Sequence, residues 1–320
     1  LSARYLRIIM LGLVFSFIYN YMASMLRAMG DSKSPLIFLA VSALLNIAGD
    51  MVLVVTLRLG VMGAALSTVL CEALSAFLCW VYVYQKVPLL RLGRGWLYFD
   101  FGLLKTTLSY GIVSALQQAT VQAGKLAVQA FVNTLGVNAT AAFNATNRID
   151  DFAIVPEQNM AHAMSSCMAQ NVGAGEYKRV RGVFRWGMTL ETGFGVLVGV
   201  FLFVMAEPLI GLFTKDPHVL EEGVRFLRVA AFLYPMPGIT NGIQGYFRGI
   251  GNLRVTLVSS LLNMSVRAFS CYALLFWLKG DFSAIPWSYM AGWVAMSVYE
   301  VPVLISSLRK QRLGKAVKED

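Results

Sequence analysis

Nine predominantly apolar stretches follow one another through the chain, at residues 5–26, 35–57, 62–84, 105–135, 140–170, 183–206, 222–246, 254–278 and 286–308. Each is long enough to cross a bilayer as one helix of about 20 residues. Only 14% of the 320 residues are charged and 57% are hydrophobic, against roughly 25% charged in a soluble domain. A backbone in lipid has to satisfy its own hydrogen bonds, which leaves helices or a closed barrel. Barrel strands would span about ten residues with alternating polarity, and that pattern is absent. The stretches therefore predict an all-α integral membrane protein whose partner is the lipid bilayer. The fourth and fifth are long and only moderately apolar, as expected of helices that tilt, bend or face a cavity.

The net charge of +10 lies between the apolar stretches and reads as topology, not as a nucleic-acid surface. One alternating set of loops holds most of the Lys and Arg, among them Arg27, Lys86, Arg91, Arg94, Arg179, Arg181, Arg254, Arg312, Lys315 and Lys318. The other holds Arg4, Arg7, Arg58, Lys215 and Lys279. The basic set belongs on the cytoplasmic side, which predicts an external N-terminus and a cytoplasmic C-terminus. Cys71, Cys79, Cys167 and Cys271 all fall inside apolar stretches and show neither metal-ligand nor disulfide spacing. No His-Glu metal motif, Gly-flanked nucleophile or acidic metal pair appears, so the sequence predicts neither an enzyme nor a cofactor.

An internal repeat is visible. "NYMASMLRAMGDSK" (20–33) and "NGIQGYFRGIGNLR" (241–254) align without a gap at an offset of 221, with Asn, Arg and Gly identical. Pseudo-symmetric halves are common in secondary transporters. By the same offset, residues from about 105 to 221 have counterparts ahead of Leu1. This predicts a parent of twelve helices in two six-helix lobes, with about three helices upstream. The expected domains are a partial N-terminal lobe with its linker (1–95), a C-terminal lobe (96–310) and a basic cytoplasmic tail (311–320).

Within "SALLNIAGDMVLVV" (42–55) one carboxylate, Asp50, lies about 6 Å along the axis from the middle of its helix. A charge at that depth costs about 2.5 kcal/mol or more, and such residues mark ion or proton pathways. Asn46, one turn earlier on the same face, is placed to donate an amide hydrogen bond to it. A buried carboxyl favours its neutral form, so Asp50 is expected to alternate between protonated and charged states and to bias the packing of its lobe. The offset maps Asn46 onto Arg267 and Asp50 onto Cys271, so the carboxylate is not repeated.

The motifs "LRAMGDSKSP" (26–35), "GVMGAALST" (60–68), "AQNVGAGEYKRVR" (169–181), "FTKDPHV" (213–219) and "YFRGIGN" (246–252) resemble, in order and spacing, the multidrug and toxic compound extrusion (MATE) family. "LLNIAGD" (44–50) is similar to its branch of DNA-damage-inducible (DinF-like) proteins. The resemblance implies a two-lobe bundle, with nine of twelve helices here, in a bacterial plasma membrane. It implies an antiporter that exports small amphipathic, often cationic compounds in exchange for protons or sodium. It also adds Thr68 to Asn46 and Asp50 as the cation-coupling site, sodium being the one metal ion expected there. A second acid of that branch lies on the first helix, ahead of this chain. The full-length protein is expected to be monomeric and to need those upstream helices for activity. Acids that another branch carries have no counterpart in "GIVSALQQATVQAGK" (111–125) or "YPMPGITNGIQ" (234–244). A lipid-linked oligosaccharide flippase of the same superfamily, or a membrane fragment that does not transport, are the alternatives.

Other candidates are Gln117, Gln118, Gln122 and Lys125, expected to line a cavity, with Lys125 either facing an anionic ligand or paired to a carboxylate. Glu72 and Glu191 read as cavity wall or structural partners, and Arg267 as a structural donor to carbonyls or to Glu300. His162 reads as a packed side chain. Pro235 and Pro237 remove backbone donors within one span and predict a bend or hinge. "QNVGAG" (170–175) reads as a helix end.

Overall fold

The computed structural model describes residues 2–88, 99–278 and 280–319, with side chains as far as Lys310. The loop residues Arg91, Arg94 and Lys279, and the tail side chains of Arg312, Lys315 and Lys318, lie outside that description. The described residues are helical, without strands. In chain order the helices are α1 (Ser2–Ala28), α2 (Lys33–Asp50), α3 (Gly60–Lys86), α4 (Phe101–Asn133), α5 (Val137–Gly173) and α6 (Tyr177–Val204). They are followed by the short α7 (Ala206–Gly211), α8 (Pro217–Leu233), α9 (Pro235–Gly249), α10 (Leu253–Tyr272) and α11 (Ile285–Glu319). Every expected span coincides with one of these helices or, at 222–246, with the pair α8 and α9.

Among the described residues, six helical segments are long and apolar enough to cross a membrane by length and composition alone. The other three expected spans do not meet that measure, for identifiable reasons. Glutamines and asparagines dilute α4 and α5, which run to 33 and 37 residues. The seventh span is interrupted at Tyr234. Pro235 has no N–H to offer the carbonyl of Ala231, and Tyr234 N reaches that oxygen instead at 3.4 Å. The chain therefore enters α9 as a new helix.

The chain divides into two compact units, Leu1–Asp100 and Phe101–Asp320. In the first, α3 packs against both α1 and α2 around Tyr19, Ala23, Leu26, Ala76, Cys79 and Val83. In the second, one apolar cluster joins α4, α5, α6, α8, α10 and α11 through Phe143, Phe226, Tyr234 and Tyr289, and another centres on Met164, Met168, Tyr246 and Phe247. Glycines set the closest approaches. A Cβ at Gly199 of α6 would stand 2.5 Å from the Ala231 carbonyl oxygen, and one at Gly238 of α9 would stand 2.7 Å from that of Glu191. In lipid, where apolar surface gains little by leaving the solvent, such close backbone packing holds helices together.

The repeat extends to the backbone. α1 ends in a left-handed Gly30 (φ 91°), with Asp31 N bonded to Leu26 O (2.9 Å) and Gly30 N to Arg27 O (3.0 Å). α9 ends the same way at Gly251 (φ 79°), with Asn252 N to Phe247 O (2.8 Å) and Gly251 N to Arg248 O (3.1 Å). These paired bonds satisfy the last carbonyls of a helix and require a residue that tolerates positive φ. "QNVGAG" closes α5 likewise, through Gly175. Beyond its α-helical part, α2 widens into a π-helical turn over Met51–Thr56, and α10 does so over Ala273–Trp277. Leu57 N bonds Val52 O (2.9 Å) and Leu278 N bonds Ala273 O (3.1 Å), again 221 residues apart.

Candidate functional site

The first unit places its carboxylate at the junction of α2 and the π-helical turn. Asp50 is half-buried, and its Oδ1 is shut off from solvent without a hydrogen-bond partner among the described residues. Asn46 does not donate to it. Its Nδ2 reaches across to Ser67 Oγ on α3 (3.0 Å), and Ser67 Oγ in turn donates to the Asn46 carbonyl (3.1 Å). Gly49 makes this pairing possible, since a Cβ there would stand 2.6 Å from Ser67 Oγ. Thr68 is half-buried and donates to Ala64 O of its own helix (3.0 Å), which leaves its lone pairs available. Glu72, one turn further along α3, accepts a hydrogen bond from Ser16 Oγ of α1. The structure thus brings Asn46 and Ser67 together beside Asp50, while Thr68 turns to its own backbone.

The second unit encloses a cavity of about 340 Å³. Gln117, Gln118, Gln122 and Lys125 of α4 line it, together with Asp150, Asp151 and His162 of α5, Pro237, Gln244 and Arg248 of α9, Asn263 and Arg267 of α10, and Tyr289 and Trp293 of α11. A polar network crosses its wall. Gln117 Nε2 donates to Gln244 Oε1 (3.1 Å) and Ser260 Oγ (3.0 Å), and Arg248 donates to Gln244 Oε1 (3.0 Å) and to the His162 ring (3.2 Å). Lys125 Nζ meets Asp151 Oδ1 at 3.4 Å. Both ends of that pair are more than half exposed, so it contributes little to stability. Tyr234, the residue at the α8–α9 break, donates its hydroxyl to Asp150.

Two expectations are corrected here. Arg267 does not pair with Glu300 among the described residues; its guanidinium lies over the face of the Tyr289 ring, a contact suited to a flat, weakly hydrated cation. His162 is exposed to the cavity and bonded by Arg248 rather than packed. The sequence reading also passed over Asp150, Asp151 and Tyr234. The pair "DD" inside an otherwise moderately apolar α5 was the available signal for the first two. Glu157, Glu191 and Glu300 are each no more than 1% exposed; Glu157 and Glu191 have no hydrogen-bond partner among the described residues, while Glu300 faces Ser259 and Gln244. None of the three lines the cavity. Among the described residues no group of three or more His, Cys, Asp or Glu side chains is placed to hold a metal ion.

The described residues thus place a half-buried carboxylate in one helical unit and a polar cavity in the other. The family model MatE matches residues 1–52 and 114–273, and the chain belongs to that family. It is 30% identical over 276 residues, 86% of its length, to a Bacillus subtilis protein named "Probable multidrug resistance protein YpnP". It is 26% identical over 267 residues, 82% of its length, to the "NorM" protein of the same description from Thermotoga maritima. It spans 61% and 57% of the lengths of those two relatives. A solved multidrug resistance MATE family transporter of the MOP superfamily, in an outward-facing conformation, shares its fold with a TM-score of 0.89 at 21% identity, over 96% of this chain and 70% of that one.

Proposed function

We propose that this chain supplies the coupling carboxylate and a substrate cavity of a secondary antiporter. The antiporter exports small amphipathic, often cationic compounds from a bacterial cell in exchange for protons or sodium. Coupling is assigned to Asp50, with Asn46 and Thr68 as its neighbours. The observation that carries this reading is the Oδ1 of Asp50, withdrawn from solvent and without a hydrogen-bond partner among the described residues, next to a hydrogen-bonded Asn46–Ser67 pair within an apolar span. A carboxyl so placed gains from a proton or a sodium ion and loses that gain when its helix moves. The π-helical turn that begins at Met51 is a natural point for such movement, and Pro235 and Pro237 give the second unit a hinge of its own. The basic loops orient the protein with its C-terminus in the cytoplasm. The multidrug resistance names of the relatives support export of drug-like compounds.

Ethidium efflux driven by a pH or a sodium gradient in everted vesicles tests this. The vesicles carry YpnP with its matching segment replaced by this chain. Efflux is expected, and Asp50→Asn is expected to abolish it. Efflux that survives Asp50→Asn removes the carboxylate from coupling. With no efflux under either gradient, a lipid-linked oligosaccharide flippase becomes the better reading, because Arg248 and Arg267 then stand in the cavity as partners for a pyrophosphate.

A further inference from the structure

The ionic groups around the cavity of the second unit are unequally satisfied. Its two carboxylates have donors: Asp150 accepts from the Tyr234 hydroxyl, and Asp151 from Lys125. Its two guanidiniums keep donors to spare. Arg267 is only 8% exposed, and its Nε has no acceptor among the described residues; the Nε of Arg248 is in the same condition. Neither arginine forms a contact ion pair among the described residues, although Arg248 lies within electrostatic reach of the buried Glu300 and Glu191. Asp150 lies within electrostatic reach of Arg267, yet its hydrogen bond is with Tyr234. Arg267 also stands near the middle of its span, two residues beyond the centre of the segment Leu253–Trp277, about 3 Å along the axis. A cation at that depth is costly and is normally kept for a partner.

We propose that this cavity recognises aromatic amphiphiles through an acidic group, a carboxylate or a chemically similar oxyanion. Arg267 holds the acid, with Arg248 as the second donor. A guanidinium stacked by one face on Tyr289 presents its N–H edge, the geometry that binds an oxyanion through paired hydrogen bonds. Trp293, only partly buried, lines the same cavity and offers flat apolar surface to the aromatic body. Its volume lies in the range of small-molecule pockets. The proposal rests on the transporter reading and narrows it: a compound that also carries a positive charge is taken by its acid in this unit, while the coupling cation is handled at Asp50.

The test is equilibrium binding of two dyes that differ in one group, a rhodamine with a free carboxylate and its methyl ester. Fluorescence anisotropy reads binding to the full chain in phosphatidylcholine nanodiscs. The acid is expected to bind roughly tenfold tighter than the ester, the scale of one charge-assisted hydrogen bond. Arg267→Gln should bring the two dyes within about twofold of each other, and Arg267→Lys should restore part of the preference. Trp293→Ala should weaken both dyes and leave their ratio unchanged. Equal binding of acid and ester by the wild type overturns the proposal, as does a preference that survives Arg267→Gln. If Arg267→Gln does not fold, Arg248→Gln serves, and an unreduced preference there counts against the proposal equally. Binding of neither dye overturns the transporter reading along with it.

Discussion

At an offset of 221 residues, the first unit has Asn46, Asp50 and Thr68 where the second has Arg267, Cys271 and Tyr289. The backbone around the two sets is nearly the same: a glycine-closed helix end before each, a π-helical turn after each, and corresponding hydrogen bonds in both. The side chains differ in sign and in kind. An amide and a carboxylate stand on one helix, a guanidinium and a thiol on the other, and the following helix brings a hydroxyl to the first and an aromatic ring to the second. Backbone hydrogen bonds in lipid cannot be traded for water, so drift in them is costly. Side chains facing a polar interior are free to diverge once their own partners follow. Arg267 came with Tyr289 beneath it, and Asn46 came with Ser67 across from it.

The most severe way to break this contrast is to make the first unit like the second. Asn46→Arg places a guanidinium one turn from Asp50 on the same helix face. A fixed cation there would hold the carboxyl in its charged form as an ion pair. On the proposed reading, coupled efflux should fall at least tenfold, as far as with Asp50→Asn, although the carboxyl itself is intact. Asn46→Ser, which keeps a small polar group, should retain most of it. Everted-vesicle efflux separates the two, and an Asn46→Arg variant that still couples would show that Asp50 need not release its charge.

The part of this contrast that was legible in the sequence is the part governed by local rules. Apolar length gave the spans, "YPMPG" marked the break at Tyr234, and Gly30 and Gly251 stood at corresponding ends of the repeat. What escaped depends on which groups meet across helices. Asn46 sits one turn from Asp50, and spacing alone pairs them; the closer partner, Ser67, is available only because Gly49 lets α3 approach. Asp150 and Tyr234 are 84 residues apart, and nothing in either segment points to the other. The exposed polar face of α4 was readable from its glutamines, but the cavity's arginines come from α9 and α10, whose orientation is set by packing.

A milder perturbation tests whether the shared backbone is equally necessary in both units. Gly30→Ala and Gly251→Ala each force a Cβ into left-handed backbone, at about 1–2 kcal/mol. At Gly30 the added Cβ meets nothing within 4 Å, whereas at Gly251 it stands 3.1 Å from the Tyr110 hydroxyl. The midpoint of thermal unfolding should therefore fall for both and further for Gly251→Ala. Asparagine, which tolerates that conformation, should cost less than alanine at either position. Equal losses would mean that Tyr110 yields freely.

The smallest effect is expected where the repeat replaces Asp31 by Asn252. Asp31 lies between spans and accepts from Ser34 N through Oδ1 (3.0 Å) and from the Tyr82 hydroxyl through Oδ2 (3.0 Å). The backbone N–H of Ser34, first among these donors, holds its carboxyl below the ordinary aspartate value of 3.8. A carboxylate whose value is lowered by folding stabilises the protein above its unfolded value, and that contribution disappears as the pH falls through the folded one. Wild type should thus lose stability on acidification below about pH 4 by slightly more than Asp31→Asn does. The group is nearly at the surface, so the difference should be a fraction of the glycine effect. Unfolding midpoints of the two proteins, compared across that pH range, give the difference directly, because every other carboxylate is common to both. Asn252→Asp offers the converse: the turn of the second unit should acquire an acid sensitivity only if its new carboxylate finds donors equivalent to Ser34 and Tyr82. Parallel behaviour of Asp31→Asn and wild type would leave the turn held by its backbone bonds alone, as it is at Gly251.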